Sequence, residues 1–292
     1  LAKRLTALCP HFQLNAACSA AATAVMLAEE RIAAGRVERM IVVGADDPTS
    51  THALPYLGAG FLATGACTNR GDLYEAALPF DKRRDGMIMG SGAMAIVIEA
   101  ESLCARRGVS PVCELLGTHA FNAASHGSQL DVARYAEELE IFITRMEGRH
   151  GIARTALAPK LVYFSHEPYT PARGGCSESE ATALRHVFGG RVGEVEVSNT
   201  KGMTGHTMGA SIEDVAAAKA LQWGRVPPVV NHKVPDPSLA GLNLSKGGAR
   251  DFQYALRMAA GFGSQGNYVL LKRVAVGDKR ISNPASYQSW LR

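Results

Sequence analysis

The sequence contains no uninterrupted apolar run long enough to cross a bilayer, and its N-terminus lacks a signal-peptide pattern, so neither a membrane span nor export is expected. No low-complexity segment is present. The six cysteines (Cys9, Cys18, Cys67, Cys104, Cys113 and Cys176) are scattered, with no C-x-x-C pair to suggest a metal. A disulfide framework is not expected in a chain of 292 residues, and a reducing, cytoplasmic setting suits a working thiol. The excess of positive charge is small. A net charge of +4 does not argue for nucleic acid as a partner, although a local basic patch could receive an acidic carrier protein, with Arg36, Arg39, Arg106 and Arg107 as candidates. What is present is ordinary for a globular α/β enzyme: 47% hydrophobic residues, 20% charged residues, and a length that suits one large domain or two.

Strand-like and helical patterns alternate along the chain, which predicts a layered α/β architecture. His11–Asn15 alternates polar and apolar residues as a short strand does, and Met40–Gly44 reads as a buried strand. A long loop is expected from Asp46 to Arg84, carrying Gly58, Gly60, Gly65 and Gly71, where a substrate tunnel or dimer contact would lie. Ala93–Glu99 and Val112–His119 read as strands and Asp131–Met146 as an amphipathic helix. From Val112 a β-α-β-α-β-α-β-β succession ends in strands at Asp251–Met258 and Asn267–Arg273. Val274–Arg292 is polar and reads as a tail, with Trp290 docking nearby.

Cys18 falls where the first strand-like stretch gives way to a strong helix former, Ser19–Ala34, that stops at Gly35. Unpaired N–H groups and the macrodipole at a helix N-terminus favour a thiolate, so Cys18 is expected to be an activated nucleophile. A lone cysteine is more often a small buried hydrophobe. Two later segments change the balance. Phe164-Ser165-His166 follows the apolar run Leu161-Val162-Tyr163, and Asn199-Thr200-Lys201-Gly202 through Gly205-His206 follows Val195-Glu196-Val197 and leads into an Ala-rich helix from Ala210 to Trp223. A cysteine, two histidines and a lysine, each just after a strand, suit one site at one edge of a sheet.

On these residues the chain resembles the β-ketoacyl synthases, condensing enzymes with a thiolase-like fold. The matching motifs run in family order: Ala17-Cys18-Ser19; His166 with Thr170 and Pro171; Asn199-Thr200-Lys201-Gly202 with Gly205-His206; Pro79-Phe80-Asp81-Lys82-Arg83-Arg84-Asp85-Gly86 followed by Gly90-Ser91-Gly92-Ala93; and Gly261-Phe262-Gly263. The resemblance implies a layered α-β-α-β-α architecture with its first half-repeat incomplete. Residues 1–110 would be the later part of the N-terminal half, 111–274 the C-terminal half, and 275–292 a tail or linker. It implies Cys18 as nucleophile, His166 and His206 as donors to an enolate oxygen, and Lys201 as the group that orders His166. The backbone N–H groups of Cys18 and Phe262 would form the oxyanion hole. Phe262 would gate the acyl chamber, and Thr170, Thr204, Gly261 and Gly263 would contact substrate. No metal or other intrinsic cofactor is implied. The expected partners are acyl-CoA thioesters or an acyl carrier protein bearing phosphopantetheine, and a second subunit forming a homodimer.

The chain departs from the family pattern in four places. His166-Glu167-Pro168-Tyr169-Thr170 stands for His-Gly-Thr-Gly-Thr, so Pro168 replaces a threonine that would contact pantetheine. The stretch Ala172–Ser177 before Glu178 and Glu180 is longer than usual, and the segment from His206 to Glu213 is shorter, which makes Glu213 a candidate for the family's site glutamate. Ser264-Gln265-Gly266-Asn267 replaces Gly-Thr-Asn. Family members also carry a first β-α-β portion before the nucleophile strand, where here residues 1–10 stand; the remainder is expected upstream or on a companion chain. The alternatives are a thiolase, a non-catalytic chain-length partner or decarboxylase-only homologue, a papain-like cysteine hydrolase, and a scaffold. A thiolase should show a second cysteine in the last Gly-rich loop, and a papain-like enzyme leaves Lys201 and the second histidine unexplained.

Overall fold

The computed structural model describes residues 9–125, 129–171, 175–275, 281 and 283–292. Helix α1 (Ala20–Ala33) begins after Ser19 and ends where Gly35 takes φ +66°, a conformation that costs glycine little. Strands β1 (Arg39–Asp46) and β2 (Gly92–Glu99) pair antiparallel from Arg39↔Glu99 to Asp46↔Gly92. Between them lies α2 (Leu54–Ala63), and α3 (Glu101–Arg107) follows β2. The second part of the chain runs β3 (Cys113–Asn122), α4 (Val132–His150), β4 (Leu161–Phe164), α5 (Cys176–Phe188), β5 (Glu196–Ser198), α6 (Glu213–Trp223), β6 (Asn243–Leu244), β7 (Tyr254–Gly261) and β8 (Gln265–Arg273). These strands form one six-stranded mixed sheet in the order β3-β8-β7-β4-β5-β6. β4, β5, β6 and β7 run parallel to their neighbours in this set, and β8 is antiparallel to both β3 and β7.

The period-two alternation of β4 shows how the layers are held. Leu161 and Tyr163 enter a core with Leu139, Phe142 and Ile143 of α4 and Leu184 of α5. Val162 and Phe164 point the other way, into a core built with Ala22 and Val25 of α1, Ala217 and Leu221 of α6, and Val42 and Met94 of the β1–β2 pair. The molecule is therefore stacked as helices, sheet, helices and a second, two-stranded sheet. Burial of a Leu or Phe side chain contributes about 1.5–3 kcal/mol, so β4, sealed on both faces, is the best-anchored strand of the site.

Several expectations are corrected. His11–Asn15 is irregular and mostly exposed, with no ladder partner among the described residues, so its alternating pattern has no sheet to join. β1 is not a buried strand: only Val42 is buried, while Ile41 and Val43 face outward. The span from Asp46 to Arg84 is not a loop throughout, because Leu54-Pro55-Tyr56-Leu57 starts α2 with its proline in the first turn, where the missing N–H costs nothing. The helix expected from Ala210 starts at Glu213, since Ser211 takes φ 47° and blocks an earlier start. Within the tail, α7 (Pro284–Leu291) is exposed, and among the described residues Trp290 stacks on Tyr287 of its own helix and docks on no core cluster. Of the proposed basic patch, Arg39 and Arg107 pair with Glu99 and Arg106 with Glu38, which neutralises most of it. Residues 1–8, 172–174, 276–280 and 282, which belong to segments discussed above, lie outside the described residues. Among the described residues no helix is long and apolar enough to cross a membrane.

Candidate active site

Three loops meet at the C-terminal ends of the parallel strands β4, β5 and β7, and the turn before α1 closes against them. That turn is tight. Ala17 is held at φ 48°, its N–H donates to Asn15 Oδ1 at 3.0 Å, and Ser19 Oγ donates to Ala16 O at 2.7 Å. Cys18 is thereby presented one residue before the helix cap, as the sequence led us to expect. Gly261 packs on the same turn: a Cβ there would stand 2.7 Å from Ala16 O and 3.1 Å from Ser19 Oγ, so only glycine fits.

Burial works against the activation expected of Cys18. Burial pushes the thiol up to about 11; Lys201 pulls it down, while Asp46 and Glu213 push it further up. The helix N-terminus is present, but desolvation outweighs it.

Asn199 staples the two histidine loops together. Its Nδ2 donates to Glu167 O at 2.8 Å, and its Oδ1 accepts from Lys201 N at 2.9 Å. The His166 and His206 rings stand edge to face, 5.3 Å apart, each almost fully buried. The Nδ1 atom of each is enclosed and has no hydrogen-bond partner among the described residues. Burial, then Lys201, hold His166 well below the usual imidazole range, and the same causes in the same order bring His206 down to about 3. Both rings are therefore neutral near pH 7. His206 is positioned by its backbone: its N–H donates to Ile88 O at 2.7 Å, and its carbonyl accepts from Gly90 N at 2.9 Å.

Lys201 is sealed from solvent and donates from Nζ to His166 O at 3.0 Å, while pairing with Glu213 Oε1 at 2.6 Å. Burial alone would raise Glu213, but Lys201 and Arg257 bring it down to about 2, so it is charged. The shortened segment after His206 thus still delivers Glu213 to the lysine. Behind His166 lie two carboxyls of the opposite kind. Glu180 Oε1 accepts from His166 N at 3.0 Å, and burial raises Glu180 to about 7 and Glu167 to about 8, the latter against the pull of Arg84 at 3.7 Å. Tyr169 takes φ 49°, where the family pattern has glycine, and its hydroxyl donates to Lys201 O at 3.3 Å and accepts from Ile88 N at 3.4 Å.

The remaining candidates lie at the margin. Phe262 is 40% exposed in the β7–β8 turn and packs edge-on against Phe61 of α2, with ring centroids 5.7 Å apart. Gly263 takes φ +91° in the same turn. Thr170 is half-buried at the end of the first histidine loop, and Thr204 is exposed on the single turn Lys201–Thr204. Sequence reasoning passed over Arg257 and Asp214, and it named Glu180 without giving it a place in the site. Arg257 did carry a signal, as the one charge in the apolar run Tyr254-Ala255-Leu256-Arg257-Met258-Ala259-Ala260.

Comparison with known proteins matches residues 2–103 to the β-ketoacyl synthase N-terminal domain and residues 176–233 to the β-ketoacyl synthase C-terminal domain, together more than half of the chain. The 3-oxoacyl-[acyl-carrier-protein] synthase 2 of Staphylococcus aureus (strain COL) is 29% identical over 263 residues, 88% of this chain and 60% of that protein. The enzyme of the same name from Coxiella burnetii is 30% identical over 272 residues, 91% of this chain and 62% of that protein. The chain thus spans about three fifths of the length of these relatives. Among solved structures, a type II polyketide synthase ketosynthase, in complex with its acyl-carrier protein and bound to a hexaketide, superposes with a TM-score of 0.81 at 24% identity, over 94% of this chain and 65% of that one. A β-ketoacyl synthase from Burkholderia phymatum STM815 gives 0.76 at 24% identity, over 89% and 60%. These likenesses show the fold.

Proposed function

The chain belongs to the β-ketoacyl synthase family, and on that premise we propose that it performs decarboxylative Claisen condensation in fatty-acid or polyketide assembly. The observation that carries this reading is the meeting of two neutral, edge-to-face imidazoles with a buried ammonium beside the cysteine-bearing turn. In the first half-reaction Cys18 Sγ attacks an acyl thioester, an acyl-enzyme forms, and the thiol proton leaves on the departing pantetheine. The raised thiol means that the nucleophile is mainly protonated at rest. Lys201 supplies the largest influence that favours the thiolate, ahead of a backbone hydrogen bond at Cys18 itself.

In the second half-reaction a malonyl-type thioester loses CO2, and the electrons of the broken C–C bond form an enolate. His166 and His206 donate N–H groups to its oxygen. Because burial keeps both rings neutral, they donate without adding a further cation next to Lys201. The enolate carbon attacks the acyl carbonyl, Cys18 and Phe262 N–H groups hold the transient oxyanion, and Cys18 leaves and recovers a proton. Thr170, Thr204, Gly261 and Gly263 are assigned to the substrate channel, with Phe262 as its gate. An acyl carrier protein bearing phosphopantetheine is the proposed donor partner, a homodimer the proposed assembly and the cytoplasm its place, with residues 1–110 and 111–274 as the two halves.

The half-reactions separate the roles. Cys18→Ala should abolish acyl loading, read by intact-protein mass spectrometry after exposure to acyl thioester. His206→Ala and His166→Ala should load within about threefold of the parent while losing at least about a hundredfold in malonyl-thioester decarboxylation. Variants that load poorly and decarboxylate normally would reverse this assignment.

A further inference from the structure

Arg257 stands on β7, in the middle of the best-sealed part of the sheet, and is 1% exposed. Its Nη2 donates to Ser211 Oγ at 2.9 Å and lies 3.5 Å from Glu213 Oε2, and its Nε lies 3.5 Å from Asp214 Oδ1. Glu213 is therefore shared, one oxygen on Lys201 at 2.6 Å and the other on Arg257. Ser211, held at φ 47°, ends the segment that begins at His206. An arginine fork suits this arrangement, because it can meet a hydroxyl and two carboxylates at once where a lysine presents one point charge.

We propose that Arg257 is a positioning residue for decarboxylation: by sharing Glu213 with Lys201 and anchoring Ser211, it fixes the ammonium beneath the first histidine and the loop behind the second. This rests on the condensing-enzyme reading above. Without Arg257 both oxygens of Glu213 are free to turn toward Lys201 and draw Nζ from the His166 carbonyl. A buried cation would also be lost from the surroundings of both imidazoles, which Arg257 helps to keep uncharged.

The charged and titratable groups facing those rings decide the sign of the effect. On the β5 and α6 side they are Lys201, Glu213 and Asp214, with Arg257 from β7. On the β4 side they are Glu167, Glu180 and Arg84, and Cys18 with Asp46 closes the α1 side. Removing Arg257 leaves Glu213 and Asp214 facing Lys201 alone, so the rings take up protons at higher pH.

The test uses the full-length protein and malonyl thioester decarboxylation as a function of pH, with acyl loading of Cys18 as the second readout. Arg257→Met should lower decarboxylation turnover by about tenfold at pH 7.5, leave loading within about twofold, and move the acid limb up by about one pH unit. Arg257→Lys should restore the limb while recovering only part of the turnover, because the contacts to Ser211 and Asp214 are not rebuilt. Asp214→Asn keeps the volume at the site and, because burial raises this carboxyl above the pH at which the rings titrate, should leave the limb in place while lowering decarboxylation severalfold and loading by less than about twofold; it tests the anchoring of the fork independently if Arg257→Met does not fold. An unmoved limb in Arg257→Met, or equal loss in both half-reactions at every pH in these variants, would overturn the role of Arg257. A His206→Ala variant that decarboxylates at the parent rate would instead overturn the reading beneath it.

Discussion

Cys18 combines two influences that usually oppose each other: a helix N-terminus that invites negative charge and a desolvated pocket that resists it. Desolvation prevails and the thiol stands near 11, so alkylation by iodoacetamide should be slow at pH 7.5 and rise about tenfold per pH unit up to pH 10. Lys201→Met should slow it further at each pH, since the largest influence favouring the thiolate is then gone. A pH-independent alkylation rate in the parent protein, followed by mass spectrometry of the Cys18 peptide, would contradict this. The same residue scale explains why His206 needs no titration to act. A ring whose pKa lies near 3 offers its N–H unchanged across the physiological range.

At the scale of elements, the site depends on how closely loops approach one another. The segment Met87–Gly90 runs beside the second histidine loop and bonds it from both sides of His206. Gly90 makes that approach possible: a Cβ there would stand 2.1 Å from Thr204 O. Gly90→Ala should therefore push the turn Lys201–Thr204 away, with a stability loss of about 2–4 kcal/mol by denaturant unfolding. Decarboxylation should suffer more than acyl loading, because the displaced turn carries Lys201 and leads to His206. Unchanged stability would show that the loop yields at no cost. The long stretch between β1 and β2 follows the same logic: α2 brings Phe61 against Phe262, the residue proposed as the gate.

For the whole molecule, the buried ionisable groups set opposite slopes of stability with pH. Glu167, near 8, and Glu180, near 7, sit above the usual carboxyl value of 4.5, so the native state keeps protons that the unfolded chain releases. Their contribution is complete below about pH 4.5 and is lost as pH rises through 7 to 8. His206, near 3 against 6.5 when unfolded, acts in reverse: its contribution is complete above pH 6.5 and is lost as pH falls toward 3. Stability should therefore decline from pH 6.5 to 8.5 through the carboxyls, and Glu167→Gln should flatten that decline. Denaturant unfolding of both proteins at the two pH values checks this, and parallel losses would rule it out.

The identity of the chemical groups and their order along the chain were legible in the sequence, because strand periodicity, helix stops and loop motifs are local properties. Leu161–Phe164 declares a buried strand by composition, and His166, Lys201 and His206 stand out as candidates by their place after such strands, Cys18 by its place before a helix. The same local reading failed where partners decide. His11–Asn15 has the pattern of a strand but no ladder, and Met40–Gly44 has the composition of a buried strand but one open face. Only the tertiary structure decided that Glu213 is shared between Lys201 and Arg257, that the thiol of Cys18 is raised instead of lowered, and that Glu167 and Glu180 hold protons near neutrality. The physical reason is common to all three. Desolvation and Coulomb interaction depend on distances between residues far apart in the chain, and those distances exist only once β4, β5 and β7 lie side by side.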